Sequence, residues 1–106
     1  MGDAPGATVT TGKARSTDSY TFDFCSDPTL MLTVDVGWAK PNRDFALRVT
    51  DPNDKVFYMD RNGVGESFLQ RAPIPEGTWN IEVISKSKGP SDYFLTIAFN
   101  VDPAYQ

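Results

Sequence analysis

The sequence predicts an all-β fold: an antiparallel β-sandwich, jelly-roll-like, of seven to eight strands. Three observations carry that expectation. Apolar residues recur at every second position in short runs along most of the chain. Clusters of Gly, Pro, Asn and Asp interrupt these runs about every 8–14 residues, which suits a sandwich or barrel better than a βαβ fold. The longest windows free of Gly and Pro, 13–27 and 91–102, are rich in Thr, Ser, Tyr and Phe and alternate like strands, so neither reads as a helix. Two facing sheets are favoured over a closed barrel because each strand has one large apolar face.

In Asp18–Phe24, Tyr20, Phe22 and Phe24 share a face, with Thr21 and Asp23 opposite. In Thr29–Trp38, Leu30, Leu32, Val34, Val36 and Trp38 oppose Met31, Thr33, Asp35 and Gly37. Asp44–Thr50 alternates Phe45, Leu47 and Val49 with Ala46 and Arg48. Lys55–Asp60 holds four consecutive large residues, Val56-Phe57-Tyr58-Met59, so the pattern does not assign its inward face. Glu66–Arg71 is a weaker run with Phe68 as its core residue. Thr78–Ser85 turns Trp79, Ile81 and Val83 one way and Asn80, Glu82 and Ile84 the other. Asp92–Val101 sets Tyr93, Leu95, Ile97 and Phe99 against Phe94, Thr96, Ala98 and Asn100. Ala7–Thr11 is a candidate edge strand. Trp38 and Trp79, each on the large apolar face of its strand, are expected between the sheets.

The turns have their own chemistry. In Asp51-Pro52-Asn53-Asp54, Pro presets φ and Asn tolerates the left-handed region, so a tight hairpin is expected. The Asn62-Gly63 pair is a second hairpin signal. The prolines of Pro73-Ile74-Pro75 cannot donate to a ladder and mark a crossover or an edge. Ser87-Lys88-Gly89-Pro90-Ser91 reads as a polar loop.

A chain of 106 residues is one domain. Residues 1–6 read as a linker, 7–102 as the sandwich and 103–106 as a tail. The start has no basic segment followed by an apolar one, so it is not a signal peptide; it reads as a linker of the kind found in a domain of a longer secreted chain. Composition excludes several chemistries. There is no histidine, which removes imidazole-based catalysis and His-ligated metals. The single cysteine, Cys25, closes no internal disulfide and builds no thiolate zinc site; it reads as a half-buried packing residue. A net charge of −4 argues against nucleic-acid binding. No apolar run approaches the ~18–20 residues of a membrane-spanning helix.

The order of signals resembles a known family. Asp18-Ser19-Tyr20-Thr21-Phe22 is followed by Leu30-Met31-Leu32-Thr33-Val34 and Trp38, then Asp44-Phe45-Ala46-Leu47, Asp51-Pro52-Asn53, Gly77-Thr78-Trp79 and Asp92-Tyr93-Phe94-Leu95-Thr96-Ile97. From about Gly12 to Val101 this is similar to the bacterial and archaeal pre-peptidase C-terminal domains, jelly-roll accessory domains of secreted proteases. Two positions depart from that pattern: Ala46 replaces an acid, and Asp54 replaces the glycine that closes the turn. The resemblance implies a non-catalytic accessory module that binds matrix or stabilises its host, often with calcium, outside the cytoplasm.

Candidate sites follow. Calcium takes six to eight hard oxygen ligands. Asp51, Asn53 and Asp54 share one turn and Asp44 begins the strand before it, so these four are the metal candidates; Asp60, Asn62 and Glu66 surround the next loop. The competing reading, which these residue types favour, is ordinary turn chemistry. For a polysaccharide, exposed rings act as stacking platforms beside polar groups; Phe94, with Phe57 or Tyr58, flanked by Arg48 and Arg61, are the candidates. For a protein partner or an adjoining domain of a longer chain, Phe57, Met59, Ile84 and Phe94 read as an outward apolar patch. A carboxylate pair among Glu66, Glu76 and Glu82 is the one route to catalysis, and it is disfavoured in so small a sandwich. The expectation is therefore a non-catalytic accessory or binding module with calcium, a polysaccharide or a protein as its ligand. The alternative is a self-standing structural or assembly subunit that associates through a sheet face or an edge strand.

Overall fold

The structure, a computed structural model, describes residues 6–14, 17–25, 27–38, 45–60, 65–86 and 91–106. Among the described residues there are eight strands: β1 (Gly6–Ala14), β2 (Thr17–Phe24), β3 (Leu30–Gly37), β4 (Phe45–Thr50), β5 (Val56–Met59), β6 (Gly65–Gln70), β7 (Gly77–Ser85) and β8 (Ser91–Val101). A short 3₁₀ turn, Pro103–Tyr105, follows. One antiparallel sheet has the order β1-β8-β3-β6 and the other β2-β7-β4-β5.

This order has a simple origin. β4 pairs with β5, β3 with β6, β2 with β7 and β1 with β8, all antiparallel. The chain is one long hairpin with its tip at the β4–β5 turn. Rolling that hairpin up brings β8 against β3 and β7 against β4. The result is a jelly roll, in which two four-stranded sheets share one core.

The alternation of large apolar residues decides which faces meet. Leu32, Val34, Phe45, Leu47, Val49, Trp79, Ile81 and Val83 have no exposed surface. Trp38 is buried and its ring lies 5.1 Å from Phe45, centroid to centroid. Trp79 stands between Phe22 and Phe68, each 6.2 Å away, with the Phe22 ring parallel to it. Phe99 receives the edge of Phe22 and stacks on Phe24. These ring pairs contribute beyond the burial of their area, in the offset and edge-on arrangements that the ring quadrupoles favour.

One polar network enters the core. Tyr93 is buried, and its hydroxyl bonds the Tyr20 hydroxyl and donates to Asp18 Oδ2 at 2.5 Å. Burial first, and then these bonds, push the Tyr93 phenol above its ordinary pKa, so it stays a neutral donor.

The pattern left β5 unassigned, and register assigns it. Val49 pairs with Phe57 and Leu47 with Met59, and paired residues share a face. Phe57 and Met59 therefore turn inward beside two core residues, and Phe57 meets Phe68 at 4.9 Å. Val56 and Tyr58 point outward and are exposed.

Candidate functional site

Loop segments 27–29, 51–55 and 71–76 gather with the C-terminal turn at one end of the sandwich. Their placement depends on a few side-chain-to-backbone bonds. Asp102 follows β8 and is 1% exposed. Its N–H donates to the Thr29 carbonyl at 2.8 Å, which fixes the first loop. Its carboxylate accepts Arg71 Nε at 2.7 Å, a second guanidinium N–H, the Ala72 N–H at 3.0 Å and the Ala104 N–H at 2.9 Å. The Arg71 guanidinium, joined by these backbone donors, holds the Asp102 carboxyl far below the usual carboxylate range. One side chain thus ties β8 to loop 71–76 and caps the 3₁₀ turn.

Loop 71–76 contains a cis Ala72–Pro73 bond. Its far side is held by the Trp79 indole, which donates to the Pro75 carbonyl at 3.0 Å. The loop ends at Gly77, whose φ is 128°. A Cβ there would lie 2.8 Å from Pro52 Cβ, so only glycine lets the β4–β5 turn pack this closely.

Between these loops lies an open cleft of about 350 Å³ lined by Phe24, Asp27, Pro28, Pro73, Ile74 and Glu76. Phe24 and Ile74 are buried and form its floor. The two prolines are stiff apolar surfaces, and Asp27 and Glu76 are its carboxylates. Asp27 Oδ1 accepts both the Thr29 N–H at 3.0 Å and the Thr29 hydroxyl at 2.6 Å. These bonds hold the Asp27 carboxyl below its ordinary pKa.

The sequence-derived candidates are placed as follows. Asp51 is 7% exposed, and its Oδ1 accepts the N–H groups of Asn53 and Lys55 at 2.8 and 2.9 Å. Asn53 and Asp54 are exposed, and Asp54 takes a positive φ of 65°. Asp51 thus serves the turn itself. Asp44 lies outside the described residues. Among the described residues, no three His, Cys, Asp or Glu side chains converge on one point.

The aromatic candidates separate. Phe57 faces the core and is no stacking platform, because its register with Val49 turns it inward. Tyr58 is exposed and is the register partner of Arg48 on the outer face of the second sheet. Arg48 is engaged there with Glu82 through two bonds of 2.7 Å. That pairing raises the Arg48 pKa and lowers that of Glu82. Phe94 is exposed on the outer face of the other sheet, so the sandwich separates it from Tyr58 and Arg48. Arg61 lies outside the described residues. The expected patch of Phe57, Met59, Ile84 and Phe94 is likewise dissolved: the first two face inward, and Ile84 and Phe94 lie on opposite outer faces.

The three glutamates stand apart too. Glu66 is buried on the inward face of β6, Glu82 is on the outer face with Arg48, and Glu76 is at the cleft. Sequence reasoning missed the cleft and Asp102. The available signals were Asp102-Pro103, a capping acid before a proline, and Ile74 set between two prolines.

No protein-family model matches the sequence, and comparison with curated proteins finds no match. Solved structures do resemble it. PliG from Aeromonas hydrophila, a periplasmic inhibitor of g-type lysozyme, superposes with a TM-score of 0.64 at 15% identity, over 91% of this chain and 88% of that one. The pre-peptidase C-terminal domain of a Bacillus anthracis collagenase gives 0.59 at 17% identity, over 85% and 87%. The lipase BlEst2 of Bacillus licheniformis, in its propeptide form, gives 0.68 at 14% identity; the match covers 95% of this chain but 23% of the lipase. At such identities these likenesses establish a shared sandwich fold.

Proposed function

We propose that this domain is a non-catalytic, extracytoplasmic accessory module that binds a protein partner through the loop end of its sandwich. The cleft carries this reading: it is apolar at its floor, acidic at two positions and held in shape by Asp102 and Trp79. Rigid concave surfaces of this kind lose little conformational entropy on binding. The non-catalytic reading is supported by the dispersal of Glu66, Glu76 and Glu82, no two of which stand together. A protein ligand is favoured over a polysaccharide because Tyr58 and Phe94, the exposed rings of the strands, sit on opposite faces and form no common platform. The likeness to a periplasmic inhibitor of g-type lysozyme supports both the partner class and the compartment.

Calorimetric titration against g-type lysozyme, collagen and insoluble polysaccharides tests the reading. Saturable binding to one of the proteins is expected, weakened about tenfold or more, 1.4 kcal/mol, by Pro28→Trp, which fills the cleft from an exposed position. Binding only to a polysaccharide, binding unaffected by Pro28→Trp in a folded variant, or no binding at all would overturn it.

A second reading, association into an assembly, is favoured by the exposure of Val56 and Tyr58 on edge strand β5 and of Leu69 on edge strand β6. Sedimentation of the isolated domain decides it: a stable oligomer supports assembly, and a monomer at high concentration removes it.

A further inference from the structure

We propose that two copies of this domain pair along the outer edge of β6, antiparallel about a two-fold axis, so that the sheet β1-β8-β3-β6 continues from one copy into the other. This rests on the second reading, association into an assembly, and adds the edge, the partner and the register.

Among the described residues the edge strands are β1 and β6 of one sheet and β2 and β5 of the other. An edge presents backbone N–H and C=O groups that a further strand can pair, and charged residues are the usual guard against this. β1 carries Lys13. β2 carries Asp18, half-buried, and Asp23, exposed. β5 is four residues long, lies between Lys55 and Asp60, and has the Lys55 ammonium 5.0 Å from the Phe57 ring. Among the described residues β6 has no such guard. It contains no proline, and its exposed residues are Gly65, Ser67 and Leu69. Its one charged residue, Glu66, is already buried, so a strand added there takes no charge out of water.

The alternation of faces limits the register. Residues directly opposite in an antiparallel pair share a face. Inward Phe68 must meet an inward residue of the other copy, and outward Leu69 an outward one. The two-fold axis therefore passes through a residue and not between two. Centred on Phe68, it sets the two Phe68 side chains together, Leu69 opposite Ser67, and Gln70 across from Glu66. Centred on Ser67, it would set apolar Phe68 across from Glu66, a poorer match.

Size sets the strength. Six strand residues span about 20 Å, so contact along β6 covers on the order of 400–500 Å² per copy on a molecule measuring 41 × 25 × 20 Å. The total, about 1,000 Å², falls below the roughly 1,200–2,000 Å² of lasting complexes and in the class of transient ones. A second copy suits such an edge better than a loose peptide. It brings a strand already extended and held by β3, so little ordering entropy is lost. Because the two β6 strands run antiparallel, the 71–76 loops that follow them point in opposite directions. Both clefts stay open, and one dimer offers two partner sites.

Sedimentation velocity from micromolar to millimolar protein, with NMR of the same samples, tests the pairing. A monomer–dimer equilibrium is expected, in which rising concentration shifts the amide signals of residues 65–70 and slows their hydrogen exchange. Leu69→Lys, at an exposed position, should weaken dimerisation about tenfold or more. Phe94→Lys makes the same change of charge at an exposed position on β8, away from the edge, and should leave dimerisation unchanged. Melting temperatures near the parent's verify that the variants fold, and the parent's own amide signals decide the matter if either does not.

If a dimer forms but survives Leu69→Lys, or is lost equally with Phe94→Lys, or shifts signals outside residues 65–70, the inference falls and the assembly reading stands. Open-ended growth has the same consequence, since a two-fold contact closes on itself. A monomer at millimolar concentration removes both and leaves the loop-end reading untouched.

Discussion

Trp79→Ala is the most informative single perturbation, because Trp79 joins the core to the cleft. Its side chain has no exposed surface. Removing a buried indole forfeits an area on the order of 150–250 Å², or about 4–6 kcal/mol at about 25 cal/mol per Å². Residual burial in the denatured chain reduces this, and core Trp→Ala changes fall at about 3–5 kcal/mol. The substitution also removes the ring between Phe22 and Phe68 and leaves the Pro75 carbonyl without its 3.0 Å donor. Against a typical domain stability of about 5–15 kcal/mol, a loss of that size lowers the melting temperature by roughly 15 °C or more. Trp79→Phe keeps a ring but loses the N–H, and should cost about 1–2 kcal/mol. Urea denaturation followed by circular dichroism measures both variants, with the m-value as a check on the denatured state. A loss below about 1.5 kcal/mol for Trp79→Ala at unchanged m would refute the placement of Trp79 between the two sheets.

Gly77→Ala should destabilise by about 2 kcal/mol or more, through positive-φ strain and a clash with Pro52, read as a lower melting temperature; a neutral result would show that the two loops do not pack as described. Asp102 yields a pH dependence. Its folded pKa lies below the unfolded value of about 3.9, so its contribution is complete above that value and is lost as pH falls towards the depressed one. Asp102→Asn should therefore lower the melting temperature at neutral pH and flatten its fall between about pH 5 and pH 2; an unchanged acid profile would remove the ion pair from the account. Calcium at millimolar concentration should leave the melting temperature unchanged, because Asp51 Oδ1 already serves Asn53 and Lys55. A rise of several degrees would assign the turn a metal.

How much was legible depended on how local the signal was. Tyr20, Phe22 and Phe24, or Trp79, Ile81 and Val83, alternate in the sequence, so their inward face reads directly, and an expectation of seven to eight strands follows. The sequence marks β1 only over Ala7–Thr11, since Val9 is its one large apolar residue. Its length of Gly6–Ala14 is set by pairing along β8. β5 carries no contrast between its faces: Val56, Phe57, Tyr58 and Met59 are all large, and only the register with β4 turns Phe57 and Met59 inward. The site was less legible for a related reason. Asp102 and Arg71 are 31 residues apart, and Asp27 and Glu76 are further still, so no spacing rule links them. They meet because rolling the hairpin up brings the β2–β3 and β6–β7 loops to the same end.

That geometry also favours the loop end over a sheet face for the proposed binding surface. On the outer faces, polar groups satisfy one another: Arg48 with Glu82, Ser67 with Asp35, Thr78 with Asp23. A partner docking there would have to compete with bonds already made. At the loop end, backbone N–H groups also donate to side chains, from Ala72 to Asp102 and from Thr29 to Asp27. Such bonds shape the loops and leave the cleft open. Asp102 is therefore a positioning residue: it lines none of the cleft but holds the strand of chain that does. Its replacement should weaken ligand affinity at temperatures where the variant is still folded, whereas a purely stabilising residue would alter melting and leave affinity untouched.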